Sequence, residues 1–175
     1  MLDNDRIVDY VRTATEEVFG MMLGLELAVG EPRVEQEAPG ITDGVFAFVG
    51  IAGGWTGSGT ISCTASFACM LCAQLLSMEA KSVNEEVLDA VGEITNMIIG
   101  NFKTQVEESV GSLGLSIPTV IYGRNFTSRS LGRNDWVVLP FRHGREVMEI
   151  RVCLAPSKPP TVPHPGPAQH CTVLS

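Results

Sequence analysis

The sequence predicts an α+β domain, an antiparallel sheet with two long, pseudo-equivalent helices packed on one face. Three observations carry that prediction. Residues 82–108, SVNEEVLDAVGEITNMIIGNFKTQVEE, keep apolar side chains at helical spacing along their whole length. Segments 44–51 and 60–64, then 136–141 and 147–154, read as strands joined by glycine-containing turns. Finally, Glu17-Val-Phe-Gly20-Met-Met-Leu-Gly24 lines up with Glu93-Ile-Thr-Asn96-Met-Ile-Ile-Gly100, 76 residues further on. Each copy precedes strand-like sequence, as expected of a helix-plus-strands unit used twice.

The elements follow in order. Asp3 or Asn4 caps a first helix running to about Leu23, with Ile7, Val11, Ala14, Val18 and Met22 on one face. Segments 25–29 and 33–36 are short strands about a Glu31-Pro32 turn. The strands 44–51 and 60–64 flank AGGWTGSG, whose glycines suit a turn. Residues 67–78 are apolar nearly all round and predict a buried helix capped by Ser66. In the long helix, Ser82 and Glu85 have capping-box spacing. Residues 116–122 form a strand with Pro118 at its start or on an edge. Residues 125–134 are a polar, arginine-rich loop, and His143-Gly144-Arg145 turns the last two strands. The domain spans 1–155. Residues 156–175, holding six prolines between 156 and 170, are expected to be an extended, unfolded tail.

Composition narrows the function classes. A chain of 175 residues, 45% hydrophobic and 18% charged, suits one well-cored domain. A net charge of −8 argues against nucleic acid or an anionic membrane as a general partner. Arg124, Arg129, Arg133, Arg142, Arg145 and Arg151 nevertheless share one 28-residue stretch, most simply as solvated charges on a sheet. No apolar run approaches the roughly 20 residues that span a bilayer. The opening MLDNDRIVDYVR lacks the apolar core of a secretory signal, so a cytoplasmic location with reduced thiols on its five cysteines is expected.

Chemistry concentrates on one face of the long helix. Opposite the stripe of Val87, Val91, Ile94, Ile98 and Phe102 runs a line of Asp89, Glu93, Asn96, Gly100, Lys103 and Glu107. A carboxylate can hold a cation, and a carboxamide three residues on can orient a water. By spacing alone, Glu and Asn on an exposed helix are more often there to meet solvent. Other constellations are weaker. Cys69 and Cys72 lie in an apolar helix without a second pair, as core thiols. The glycines of 53–59 lack the lysine of a phosphate loop. The three histidines have no metal-ligand spacing, and Met21, Met22 and Met97 read as core filling.

Asp89-x-x-x-Glu93-x-x-Asn96, continuing Met97-Ile98-Ile99-Gly100-Asn101, with the GVFAFVGIAGGWTGSGTISCT hairpin before it and Pro118 after it, resembles the CheC/CheX family. These chemotaxis phosphatases hydrolyse the aspartyl phosphate of CheY-like response-regulator receiver domains. The resemblance covers residues 1–155. The single motif, with Gly20 in the first copy where the second has Asn96, is similar to the CheX branch. It implies that Glu93 pairs with the receiver's active-site lysine and that Asn96 orients the attacking water. Asp89 would support them, and Gly100 would let the partner's backbone approach. No cofactor is implied for this chain, since the Mg2+ belongs to the receiver. A homodimer formed by strand pairing is also implied, covering the edge that strands 136–154 would otherwise leave. The alternative is a non-enzymatic module that docks a receiver or flagellar-switch component.

Overall fold

The computed structural model describes residues 2–36, 43–124, 126 and 135–157. The 37–42 segment, most of the loop expected at 125–134 and the tail from 158 onward lie outside the described residues. Helix α1 is Asn4–Val18, continued by a π-helical turn Phe19–Leu23; α2 is Ala65–Leu76 and α3 is Glu85–Val110. The strands are β1 (Ala28–Val29), β2 (Arg33–Glu35), β3 (Asp43–Gly53), β4 (Trp55–Cys63), β5 (Leu113–Leu115), β6 (Thr119–Arg124), β7 (Trp136–His143) and β8 (Glu146–Pro156). They form one antiparallel sheet in the order β1-β7-β8-β4-β3-β5, with β2 also on β7 and β6 also on β3.

That order reads the same from either end when β1/β2 is exchanged with β5/β6, β3 with β7 and β4 with β8. The expected repeat is therefore a pseudo-twofold of the fold, with its axis between β4 and β8. It also corrects one inference. Strands β7 and β8 are interior, because β1 and β2 cover β7, so residues 136–154 leave no free edge. Among the described strands, the edges of the sheet are β1/β2 and β5/β6.

Each helix starts where a short polar side chain on extended backbone accepts from the first turn. Asp3 accepts from the Arg6 N–H at 3.0 Å, as expected. For α2 the cap is Thr64, not Ser66, because Thr64 is the last extended residue leaving β4 and accepts from the Phe67 N–H. Ser66 lies inside the first turn, where its hydroxyl donates to Glu146, as does that of Thr64 at 2.5 Å. For α3 the cap is Asn84, accepting from Val87, and Ser82 lies too far upstream to reach.

The helices cover one sheet face. Alternate residues of the central strands, such as Val45, Ala47 and Val49 on β3 and Met148, Ile150 and Val152 on β8, meet the apolar stripes of α1, α2 and α3 in one core. Near the end of α1 the sequence reading fails. A π-helical turn takes an extra residue, so the side-chain phase slips. Phe19 and Leu23 enter the core, whereas Met21 and Met22 are 82% and 55% exposed instead of filling it. Gly24, at φ +62°, then ends the helix.

Gly57 and Gly59, read from the sequence as part of a turn, lie within β4, which begins at Trp55 and pairs with β3 over this stretch. A Cβ on Gly59 would lie 2.3 Å from Ile99 Cδ1, and one on Gly57 would lie 1.9 Å from the Cys153 carbonyl oxygen. Gly59 thus marks where α3 crosses β4, and Gly57 where β8 lies too close for any side chain. At the sheet end, Ser157 donates its N–H to the Gly54 carbonyl and its hydroxyl to the Gly53 carbonyl, so contacts with the sheet extend past Pro156.

On the other sheet face, Arg33 and Arg151 both stand opposite Val138, one on each neighbouring strand. Each bonds the same two carboxylates. Arg33 reaches Glu35 and Glu149 at 2.6 Å each, and Arg151 reaches Glu35 at 2.5 Å and Glu149 at 2.8 Å. Val138, between the two arginines in register, is fully buried in a small cluster with Trp136 and Cys153. Arg151, read from the sequence as a solvated charge, is buried because this ring compensates it. Burial pushes the Glu35 carboxyl up, but Arg33 and Arg151 together outweigh it and leave the group below its ordinary value.

Two outcomes test this account. Gly59→Ala is expected to cost about 1–3 kcal/mol in urea unfolding, by forcing Ile99 off its site. Because Glu35 titrates lower when folded, its contribution is present above the ordinary glutamate range and is lost as pH falls from that range through the lowered value of the folded state. Glu35→Gln should therefore flatten the acid limb of a stability–pH profile while lowering stability at neutral pH.

Candidate active site

Helix α3 positions the site by burying everything on its other side. Val87, Val91, Ile94, Ile98, Phe102 and Val106 are fully covered by the sheet and neighbouring helices, which leaves one rotational setting for the remaining face. On that face Asp89 and Glu93 are exposed, while Asn96 and Gly100 are half-buried. All four residues named in advance are therefore brought together on one line of one rigid helix. Among the described residues, none pairs with the carboxylates of Asp89 or Glu93, and none bonds the Asn96 carboxamide.

Helix-bound hydroxyls stay out of the way. Thr95 is buried and donates to the Val91 carbonyl at 2.7 Å, and Thr104 donates to Gly100 at 3.0 Å. Lys103 and Glu107, expected to be ordinary solvated positions, are structural. Lys103 pairs with Glu107 at 2.9 Å, and Glu107 accepts the Leu113 N–H at 2.7 Å, tying the helix end to β5. That backbone bond, assisted by Lys103, holds the Glu107 carboxyl below its ordinary value.

The two glycines of α3 differ. A Cβ on Gly92 would meet Val120 Cγ2 at 3.2 Å and Pro118 Cβ at 3.7 Å, so close packing on β6 accounts for it. A Cβ on Gly100 would meet nothing within 4 Å. Inside a helix, glycine is about 0.5–1 kcal/mol worse than alanine. Nothing among the described residues explains that cost at Gly100.

A groove unforeseen from the sequence opens beside Glu93. Glu85, Leu88, Asp89 and Glu93 line its helix side, and Pro118 and Val120 its strand side. Gly92, an interior helix glycine, was the one signal that a strand passes close enough to form it. Pro118 precedes β6 and forms the wall instead of opening the strand as a ladder residue.

The other candidates recede. Cys72 and Cys63 are buried and Cys69 is half-buried, and burial pushes these thiols up, that of Cys63 to about 12. They are core thiols. No group of three His, Cys, Asp or Glu among the described residues could hold a metal ion. Among the described residues, no helix is long and apolar enough to cross a membrane.

Comparison with known proteins agrees with this geometry. A CheY-P phosphatase CheX from Thermotoga maritima is 28% identical over 128 residues, 73% of this chain and 82% of its own length. A crystal structure of the chemotaxis protein CheX from Desulfovibrio desulfuricans is 28% identical with a TM-score of 0.76, covering 86% of this chain and 99% of that one. The CheX of a CheX–CheY–BeF3–Mg2+ complex from Borrelia burgdorferi shares the fold at 23% identity and a TM-score of 0.74, covering 85% and 97%. The model of the family described as chemotaxis phosphatase CheX matches residues 45–142, which take in β3, β4, all of α3 and most of β7, and the chain belongs to that family.

Proposed function

We propose that this protein hydrolyses the aspartyl phosphate of a CheY-like receiver domain, with Glu93 and Asn96 as its acting residues. The observation that carries the reading is an unpaired carboxylate and an unpaired carboxamide, three residues apart, on the outward face of a helix in a CheX-family chain. A relative of 28% identity is a CheY-P phosphatase, which supports the choice of substrate class.

Glu93 pairs with a receiver cation and sets the register of docking. Asn96, one turn on, enters beside the phosphoaspartate. Its carbonyl oxygen accepts from a water and its amide donates to the phosphoryl group, which aligns the water with phosphorus. The water oxygen bonds phosphorus as the bond to the aspartyl oxygen breaks. The products are the aspartate carboxylate and inorganic phosphate, which takes the water's protons. An amide is neither acid nor base near neutral pH, so the gain comes from positioning. Mg2+ on the receiver offsets phosphoryl charge, and no metal is required of this chain.

Gly100 belongs to the same surface. The absence of a side chain there, unexplained by the described residues, leaves room for the partner's backbone one turn beyond Asn96. Asp89 supports the acidic side of the contact. A second copy of this chain, joined through a sheet edge, is a further part of this reading.

Three variants test it by following decay of receivers phosphorylated with acetyl phosphate. Asn96→Ala should slow the step at saturating receiver on the order of 100-fold, with little change in binding. Glu93→Ala should also weaken docking, by about tenfold or more. Gly100→Ala should raise folding stability by about 0.5–1 kcal/mol while impairing hydrolysis, an opposition that a purely structural glycine would not produce. Wild-type protein that leaves the decay of every CheY-type receiver in its own organism unchanged would sink the reading.

A further inference from the structure

The two sheet edges carry the same backbone device. Leu115 lies opposite Ile51 and Thr119 opposite Phe48, so three residues of one strand, 116–118, span two of β3. Val29 lies opposite Phe141 and Arg33 opposite Val138, so residues 30–32 likewise span two of β7. Each is a one-residue bulge ending in proline, Ser116-Ile117-Pro118 on one edge and Gly30-Glu31-Pro32 on the other. Bulges bend a strand and re-aim a side chain. They are pseudo-symmetric positions with different payloads.

In the half that carries Asn96, the bulge displays Ile117, which is 86% exposed, the largest value among the exposed large apolar residues. It is not loose. Ser116 holds Gly50 by an N–H donated to its carbonyl at 2.9 Å, and accepts the Gly50 N–H at 2.8 Å on its own hydroxyl. That hydroxyl donates to the Ile117 carbonyl at 3.0 Å, and Pro118 restricts the backbone on the other side. Pro118 is itself a wall of the groove whose helix side carries Glu85, Asp89 and Glu93 at successive turns. An exposed isoleucine whose backbone is fixed in advance, and whose chain neighbour Pro118 faces these carboxylates across the groove, is preorganised for contact and loses little backbone entropy on binding. In the half with Gly20 in place of Asn96, the corresponding tip is Glu31. The apolar tip and the amide occur together.

We infer that Ile117 is an apolar docking anchor and Glu85 a charge-selecting residue for the receiver, acting at the groove beside Glu93. The inference rests on the reading given under Proposed function and narrows the partner. The receiver face must present an apolar depression for Ile117, with a basic side chain lying toward Glu85 and Asp89. Receivers without both features are discriminated against at docking, before Asn96 acts.

The test is affinity for a CheY-type receiver loaded with BeF3− and Mg2+, measured by titration calorimetry on full-length protein. Ile117→Asp is expected to weaken binding about tenfold or more, and Ile117→Ala by less. Glu85→Lys should weaken it severalfold and reduce its salt dependence. Glu31→Ala, at the matched bulge, should bind as wild type. Thermal melting checks folding, which a solvent-exposed side chain should leave intact. Unchanged affinity for Ile117→Asp overturns the inference, even if the wild type is an active phosphatase. So does an Ile117→Asp protein that loses only self-association in sedimentation, which would assign the tip to a second copy of this chain. Conversely, a wild type that binds through Ile117 without hastening decay keeps the anchor and removes the phosphatase reading. A wild type that binds no loaded receiver removes both.

Discussion

The site depends on the close crossing of α3 over β4. Ile99 occupies the space that any side chain on Gly59 would need. Interiors pack at crystal-like density, so a contact of this kind is intolerant of shift. It keeps α3 close to the sheet and, with the buried stripe from Val87 to Val106, allows one rotation about its axis. Glu93 and Asn96 face outward because the opposite side of the helix has no alternative to burial.

The pseudo-twofold gives a comparison inside one molecule. Both halves place a helix over a sheet and a proline-ended bulge on an edge. Only one half joins a carboxylate, an amide and an apolar bulge tip. The other has Glu17 and Gly20 on its helix, Glu31 on its bulge, and a π-helical turn that exposes Met21 and Met22. A device repeated by the fold but loaded with different chemistry in each copy separates the backbone's contribution from that of the side chains. The scaffold supplies position, and a few side chains supply the function.

Stability and function pull apart along α3. Gly92 and Gly100 both weaken a helix interior. Packing against Val120 and Pro118 accounts for Gly92, and nothing among the described residues accounts for Gly100. Elsewhere the chain is conservative. Buried Arg151 is matched by two carboxylates, Glu107 ties the end of α3 to β5, and Glu146 fastens the start of α2 to β8. Charges needed for the fold are paired within the described chain. Glu85, Asp89 and Glu93, which line one groove, have no partner among the described residues.

The amino-acid sequence by itself determined the α+β class, the extent of α3 to within a few residues, the repeat and the line of Asp89, Glu93, Asn96 and Gly100. Those properties follow from local periodicity and from residues on the same helix, which need no knowledge of what packs where. The caps of α2 and α3 were misplaced by two residues, because several polar residues precede each helix and only the backbone conformation selects one. Met21 and Met22 were misread because a π-helical turn changes the period. Tertiary structure alone decided which strands are edges, the burial of Arg151, the reason for Gly59, and the meeting of Pro118 with Gly92. These depend on pairings between segments far apart in sequence, so the groove and its Ile117 tip appear only once β6 is laid beside β3 and beneath α3.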